Sequence, residues 1–163
     1  MKNGKNWLRI LVMVLIFGMT VIGCDTSNDD DGAEITWNGR IYRRIDRSMT
    51  WHEAQAHAES LGGHLATITS AAEQAAIYNL IRNGGRYVYW IGAQRINDNW
   101  TWVTGEQWGY TNWAPGEPNN MDGEENYVFM FRLRNGTWND IRNTGEVDYG
   151  VRRFGFVIEW GNN

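Results

Sequence analysis

Cysteine is nearly missing from this 163-residue chain, in which Cys24 is the single example. One thiol excludes an intramolecular disulfide framework and any cysteine-rich zinc site. Lysine occurs only as Lys2 and Lys5, proline occurs twice, and the formal charge is -4. With no cluster of Lys and Arg and a net negative charge, there is no electrostatic footprint for a nucleic-acid partner. No collagen-like, coiled-coil or solenoid period runs through the chain. Long apolar runs are lacking too: the stretch from Ile10 to Ile22 is too short to span a bilayer comfortably. What remains is a globular composition, 42% hydrophobic and 21% charged, of a size that organises about one domain. Ten Trp and 19 Gly point to large rings joined by flexible turns, hence a loop-rich fold.

The N-terminus reads as an address. Lys2, Lys5 and Arg9 precede the apolar run, and Gly23 sits directly before Cys24, the order of a secretory signal. The tetrad Val21-Ile22-Gly23-Cys24 resembles the bacterial lipoprotein signal, which implies a signal peptide over 1–23 and lipidation at Cys24. The expected location is therefore outside the cytoplasm, anchored by lipid to a bacterial membrane, periplasmic or on the cell surface. Removing the signal takes three of the fifteen basic residues and none of the nineteen acids, which leaves twelve arginines and a charge of -7. Residues 24–34 carry four Asp and one Glu with no aliphatic side chain larger than Ala, and they read as an acidic, flexible tether. The folded domain is expected over 35–163.

Strand signals open that domain, with Ile35 to Trp37 and Ile41-Tyr42 flanking the hairpin dipeptide Asn38-Gly39. Thr50-Trp51-His52-Glu53 and Ser70-Ala71-Ala72-Glu73 both fit a capping box and predict helices ending near Leu61 and Arg82. Their expected buried faces are Trp51, Ala54, Ala58 and Leu61, then Ala72, Ala76, Ile77 and Leu80. Strands are expected at Tyr87 to Ala93, Trp100 to Val103, Tyr127 to Leu133, Thr137 to Ile141 and Gly155 to Trp160. This is an α+β pattern. Between Gly105 and Asn126 lies a stretch dense in Gly, Asn, Pro and acids, too long for an ordinary connection and too aromatic for disorder.

Within and just after that stretch stand Glu117-Pro118-Asn119-Asn120, Glu124-Glu125 and Asn139-Asp140. Carboxylates and amide carbonyls at this density suit calcium, a hard cation that takes roughly six to eight oxygen ligands. A polar surface loop built from Asx turns has the same composition, and the residues alone leave both readings open. His52, His57 and His64 lack the spacing of a compact ligand set and read as structural. Trp90, Trp138 and Trp160 read as core residues.

From Trp51 onward the chain resembles the C-type lectin-like domain. The landmarks are TWHEAQAHAESLGGHLATI (50–68), WIGA (90–93), TNWAPGEPNN (111–120), GEEN (123–126), WND (138–140) and FVIEW (156–160). The resemblance implies that fold, with two helices flanking small antiparallel sheets and a long calcium-binding loop. It places the principal calcium site on Glu117, Asn119, Glu124, Asn139 and Asp140. Glu117, Asn119, Glu124 and Asn139 would also read the sugar, since an ion-bound vicinal diol can donate to a carboxylate and accept from an amide N–H. In the family, Glu-Pro-Asn accompanies mannose, fucose and N-acetylglucosamine, so glycans with vicinal equatorial hydroxyls are the expected partners. Met121 and Ile141 are candidate apolar neighbours of the sugar. A second metal site would use Asn120, Glu124 and Glu125, although the segment from Gln94 to Asn99 holds only Asp98 where further acids are expected.

The chain departs from the family at its four usual cysteine positions, which fall on Ala58, Asn126, Asn143 and Ile158. The family's pairing implies an apolar contact between Ala58 and Ile158 and a polar one between Asn126 and Asn143. An enzyme is not expected: Glu124 and Glu125 are adjacent and point to opposite faces of a strand, and no nucleophile motif is present. Two readings remain. One is a calcium-dependent carbohydrate-binding surface lipoprotein acting as an adhesin. The other is a lectin-like module that binds host or bacterial surface proteins without sugar.

Overall fold

The computed structural model describes residues 31–145 and 154–161. The signal, Cys24 and most of the tether lie outside the described residues. The first strand, β1 (Asp31–Trp37), begins inside the segment expected to be a tether, so the ordered chain starts before Ile35. It turns through Asn38 and Gly39, at φ 48° and 79°, into β2 (Arg40–Ile45). Both angles lie in the left-handed region that a tight hairpin turn demands.

Helix α1 (Trp51–Ser60) starts on the full capping box: Thr50 Oγ1 accepts from Glu53 N–H at 3.2 Å, and Thr50 N–H donates to Glu53 Oε2 at 2.9 Å. Trp51, Ala54 and Ala58 are buried as expected, but Leu61 is 46% exposed, because it stands at the C-cap where the chain turns away. After the short β3 (His64–Leu65) comes α2 (Ala71–Ile81). Here only half of the box forms. Ser70 Oγ accepts from Glu73 N–H, while the Glu73 carboxylate accepts from Thr69 N–H at 2.7 Å and from the Tyr42 hydroxyl at 2.6 Å. The buried face is accordingly Glu73, Gln74, Ile77, Leu80 and Ile81, and Ala72 is exposed. Gln74 tolerates burial because its amide donates to Gly136 O at 2.8 Å and accepts from Trp138 Nε1 at 2.9 Å.

The remaining strands are β4 (Val88–Ile96), β5 (Asn99–Trp102), β6 (Tyr127–Phe131), β7 (Trp138–Ile141) and β8 (Phe154–Trp160). The sheets are joined into one, in the order β1-β2-β8-β4-β6-β7, with β3 on β8 and β5 on β4. One pair, β4 with β8, is parallel, so the sheet is mixed where small antiparallel sheets were expected. Gly92 lets β4 approach β3: a Cβ there would sit 2.4 Å from Leu65 O, which no side chain tolerates. One buried cluster joins α2 to Tyr42, Trp102 and Trp138, and a second joins α1 to Trp90, Phe129 and Phe156. Ala58 and Ile158 lie together in the second. Asn143 Oδ1 accepts from His52 N–H at the start of α1, at 3.0 Å, and Asn126 Nδ2 reaches Glu124 O at 3.5 Å. Trp90 and Trp138 are core residues, whereas Trp160 sits at the rim under the Arg43 guanidinium. Among the described residues no helix is long and apolar enough to cross a membrane.

Candidate functional site

The long loop is structured from its first half. Trp138 N–H donates to Asn112 O at 2.8 Å and Ala114 N–H to Trp138 O at 2.8 Å, so residues 112–114 run beside β7 as an added edge. Beneath it, Trp100, Trp102, Trp108, Trp113 and Trp138 pack ring against ring, with centroids 4.8 Å apart for Trp102 and Trp108. Aromatic packing of this kind fixes where the polar second half emerges. That half begins at the cis bond between Glu117 and Pro118 and then turns through Asn120 and Asp122, both with positive φ.

Asp140, on β7 opposite Val128, is fully buried and organises this second half. Its Oδ1 accepts from Asn119 N–H at 3.1 Å, and its Oδ2 accepts from Asn120 N–H at 2.9 Å and from Arg95 Nη2 at 3.1 Å. The Glu117 carboxyl faces this carboxylate. Burial first, and then Asp140 and Glu125, push Glu117 above the ordinary carboxylate range, while the Asn119 amide pulls it down. Glu117 Oε2 and Asn139 Oδ1 are both enclosed and lack a hydrogen-bond partner. Enclosed oxygens left unpaired are costly unless something electropositive meets them.

The structure thus brings Glu117 and Asn119 to Asp140, with Asn139 next to it along β7, and it engages Glu124 with Arg142. Glu124 is 64% exposed and pairs with Arg142 Nε at 2.9 Å, and Arg142 Nη2 also holds Asp122 at 2.9 Å. Among the described residues no group of three or more His, Cys, Asp or Glu side chains closes into a metal set. The oxygen donors of the principal set fit a hard cation, since two are carboxylates already crowded together and two are enclosed and unpaired. Asn119 Oδ1 already accepts from Met121 N–H at 2.9 Å, and in the second set Asn120 Oδ1 accepts from Glu125 N–H at 3.2 Å, Glu125 Oε2 accepts from Met121 N–H at 2.9 Å, and Glu124 is held by arginine. Those oxygens are taken up by the protein itself. Of the two apolar neighbours expected for a sugar, Met121 is 54% exposed but Ile141 is buried and out of reach.

Arg95 and Arg142 were not singled out by sequence. An arginine at the end of the apolar run WIGA, in the strand segment WIGAQRI, was the available signal for Arg95. The three histidines stay dispersed: His52 Nε2 meets the Tyr127 hydroxyl at 2.8 Å, His57 packs edge-on to Phe156, and His64 lies beside Leu65 O.

Residues 47–148 match the model of the Lectin C-type domain, which is more than half of the chain. The chain belongs to the C-type lectin family. It is 29% identical to ladderlectin of Oncorhynchus mykiss over 135 residues, covering 80% of this chain and 71% of that protein. It is 36% identical to E-selectin of Rattus norvegicus over 147 residues, covering 86% of this chain but 23% of the selectin. Among solved structures, CEL-I from Cucumaria echinata superposes with a TM-score of 0.68 at 25% identity, over 77% of this chain and 93% of CEL-I. The carbohydrate-recognition domain of cow CD23, solved in the presence of a GlcNAc2Man3 oligosaccharide, gives 0.67 at 28% identity over 80% of this chain and 95% of that domain. The two-helix, mixed-sheet architecture is therefore that of the C-type lectin fold.

Proposed function

We propose that this domain binds glycans through a single calcium ion held by Glu117, Asn119, Glu124, Asn139 and Asp140, and that it performs no catalysis. The observation that carries the reading is the pair of enclosed, unpartnered oxygens, Glu117 Oε2 and Asn139 Oδ1, on two residues that adjoin the fully buried Asp140, one facing its carboxylate and one preceding it on β7. A divalent cation supplies the positive charge that both oxygens lack, and it offers open coordination positions to sugar hydroxyls. Glu117 and Asn139 each offer an unpaired oxygen, whereas Asn119 Oδ1, which accepts from Met121 N–H at 2.9 Å, would share or release that bond to reach the ion. Glu124 completes the set by turning from Arg142, an exposed ion pair of the kind worth about 0–1 kcal/mol.

The Glu-Pro-Asn order of 117–119 favours ligands with vicinal equatorial hydroxyls, of the mannose, fucose and N-acetylglucosamine type. The carboxylate of Glu117 accepts from one hydroxyl and the amide of Asn119 donates to it or its neighbour, so donor and acceptor flank the diol. Anchoring through lipidated Cys24 would array many copies on an exported bacterial surface. An array suits an adhesin, because a single shallow sugar contact has a Kd of roughly millimolar and multivalency multiplies it. A glycan array run in calcium and in chelator tests the proposal. Chelator-sensitive binding to mannose-type glycans is expected, whereas no such binding, together with calcium-independent capture of proteins, overturns it in favour of a protein-interaction module. Incorporation of lipid label that persists in Cys24→Ala would overturn the anchor.

A further inference from the structure

Three donors converge on Asp140, and they are not equivalent. The amides of Asn119 and Asn120 take one oxygen each and are sufficient to orient the carboxylate. Arg95 brings a full positive charge to Oδ2, the oxygen already served by Asn120. It reaches there from β4, where its backbone N–H donates to Asn126 O at 2.8 Å, and its guanidinium lies 4.7 Å over the Trp100 ring. Held by a strand and a stacked ring, and only 13% exposed, the side chain has little freedom to leave. At the rim, Arg142 neutralises Asp122 and Glu124, so among the described residues Arg95 is the cation that reaches the buried carboxylate.

We infer that Arg95 is the resident counter-ion of this centre: it neutralises Asp140 in the metal-free domain and, by like-charge repulsion, weakens the hold on the ion that shares that carboxylate. The inference rests on the calcium reading above. Two cations bound to one carboxylate lie only a few ångströms apart, and in a partly dried site their repulsion is felt far more than in water. Because two amides fix Asp140, deleting the Arg95 charge removes that repulsion without dismantling the ligand. Arg95 is thus a positioning and tuning residue, one that keeps the metal-free domain folded and sets the calcium level at which the site fills.

The test is calorimetric titration of calcium chloride into the purified full-length protein, with melting curves in chelator. Arg95→Gln is expected to bind calcium about fivefold tighter than wild type and to melt several degrees lower in chelator. Arg95→Lys, which keeps the charge but loses the planar fork, is expected to stay within about threefold of wild-type affinity. A glutamine variant with equal or weaker affinity overturns the counter-ion role while leaving the calcium site intact. Should that variant not fold, the lysine variant decides, because loss of calcium binding there would mean that the fork holds Asp140 in place. Wild-type protein that binds no calcium removes the site and this inference together.

Discussion

Asp140 carries more of the site than any other side chain, and its substitution has a signed consequence. Asp140→Ala leaves Arg95 buried opposite no carboxylate, and breaking one side of a buried pair costs about 3–5 kcal/mol. Chemical denaturation in chelator should show that loss, and calcium should then add no stability. The acids around it also set a pH dependence. Glu117 is raised by burial and by Asp140, Glu125 by burial, and buried Glu159 by burial, all above the ordinary value of 4.5. A raised carboxyl holds its proton more readily in the folded state, so its contribution is full below the ordinary value and is lost as pH rises through the raised one. Burial would raise Glu106 too, but hydrogen bonds from Thr67 and Arg40 outweigh it and hold Glu106 below 4.5, so its contribution is lost as pH falls. In chelator, the melting temperature should therefore decline from mildly acidic toward neutral pH, and calcium should flatten that decline by stabilising the ionised carboxylates. Melting curves across pH, with and without calcium, check this; a metal-free melting temperature that climbs toward neutrality contradicts it.

At the scale of elements, local signals and tertiary ones separate. The first hairpin and α1 were legible because their determinants are local: Asn38-Gly39 supplies two positive φ angles, and Thr50 with Glu53 closes both halves of the cap. Thr50→Ala should cost about 1 kcal/mol by denaturant titration, with little change in calcium affinity, since the cap lies off the site. The second helix shows where local reading stops. Glu73 has the right spacing for a capping box, yet Thr69 and Tyr42 offer its carboxylate better-placed donors, and this draws Glu73 and Gln74 inward in place of Ala72. The long loop divides in the same way. Its composition announced an oxygen-rich site, but the roles of Arg95 and Arg142 depend on strands distant in sequence meeting at the loop, which no spacing rule reveals. Gly92→Ala tests the strand crossing directly: a methyl 2.4 Å from Leu65 O must displace backbone, and a loss of about 2 kcal/mol or more is expected in the same titration.

For the molecule as a whole, the lack of disulfides is offset by packing and by buried polar links. Ala58 and Ile158 share an apolar cluster, and Asn143 ties the start of α1 to the end of β7. Arg40 joins β2 to Glu159 on β8 and to Glu106 in the loop, each at 2.8 Å. The tryptophan cluster supports both the sheet and the loop above it; Trp138→Ala should cost about 3–5 kcal/mol and abolish calcium binding along with it. Calcium should in turn stabilise the wild-type domain by mass action, about 2.7 kcal/mol at one hundred times its Kd. The central claim is that one ion both completes this loop and presents the sugar-binding face. It is tested most directly by binding to immobilised mannose across a free-calcium titration, read beside the melting temperature of the same samples. The two curves should rise together over one calcium range and vanish in chelator and in Asn119→Ala plus Asp140→Ala. Mannose binding that persists in chelator, or that is absent in saturating calcium, contradicts the account.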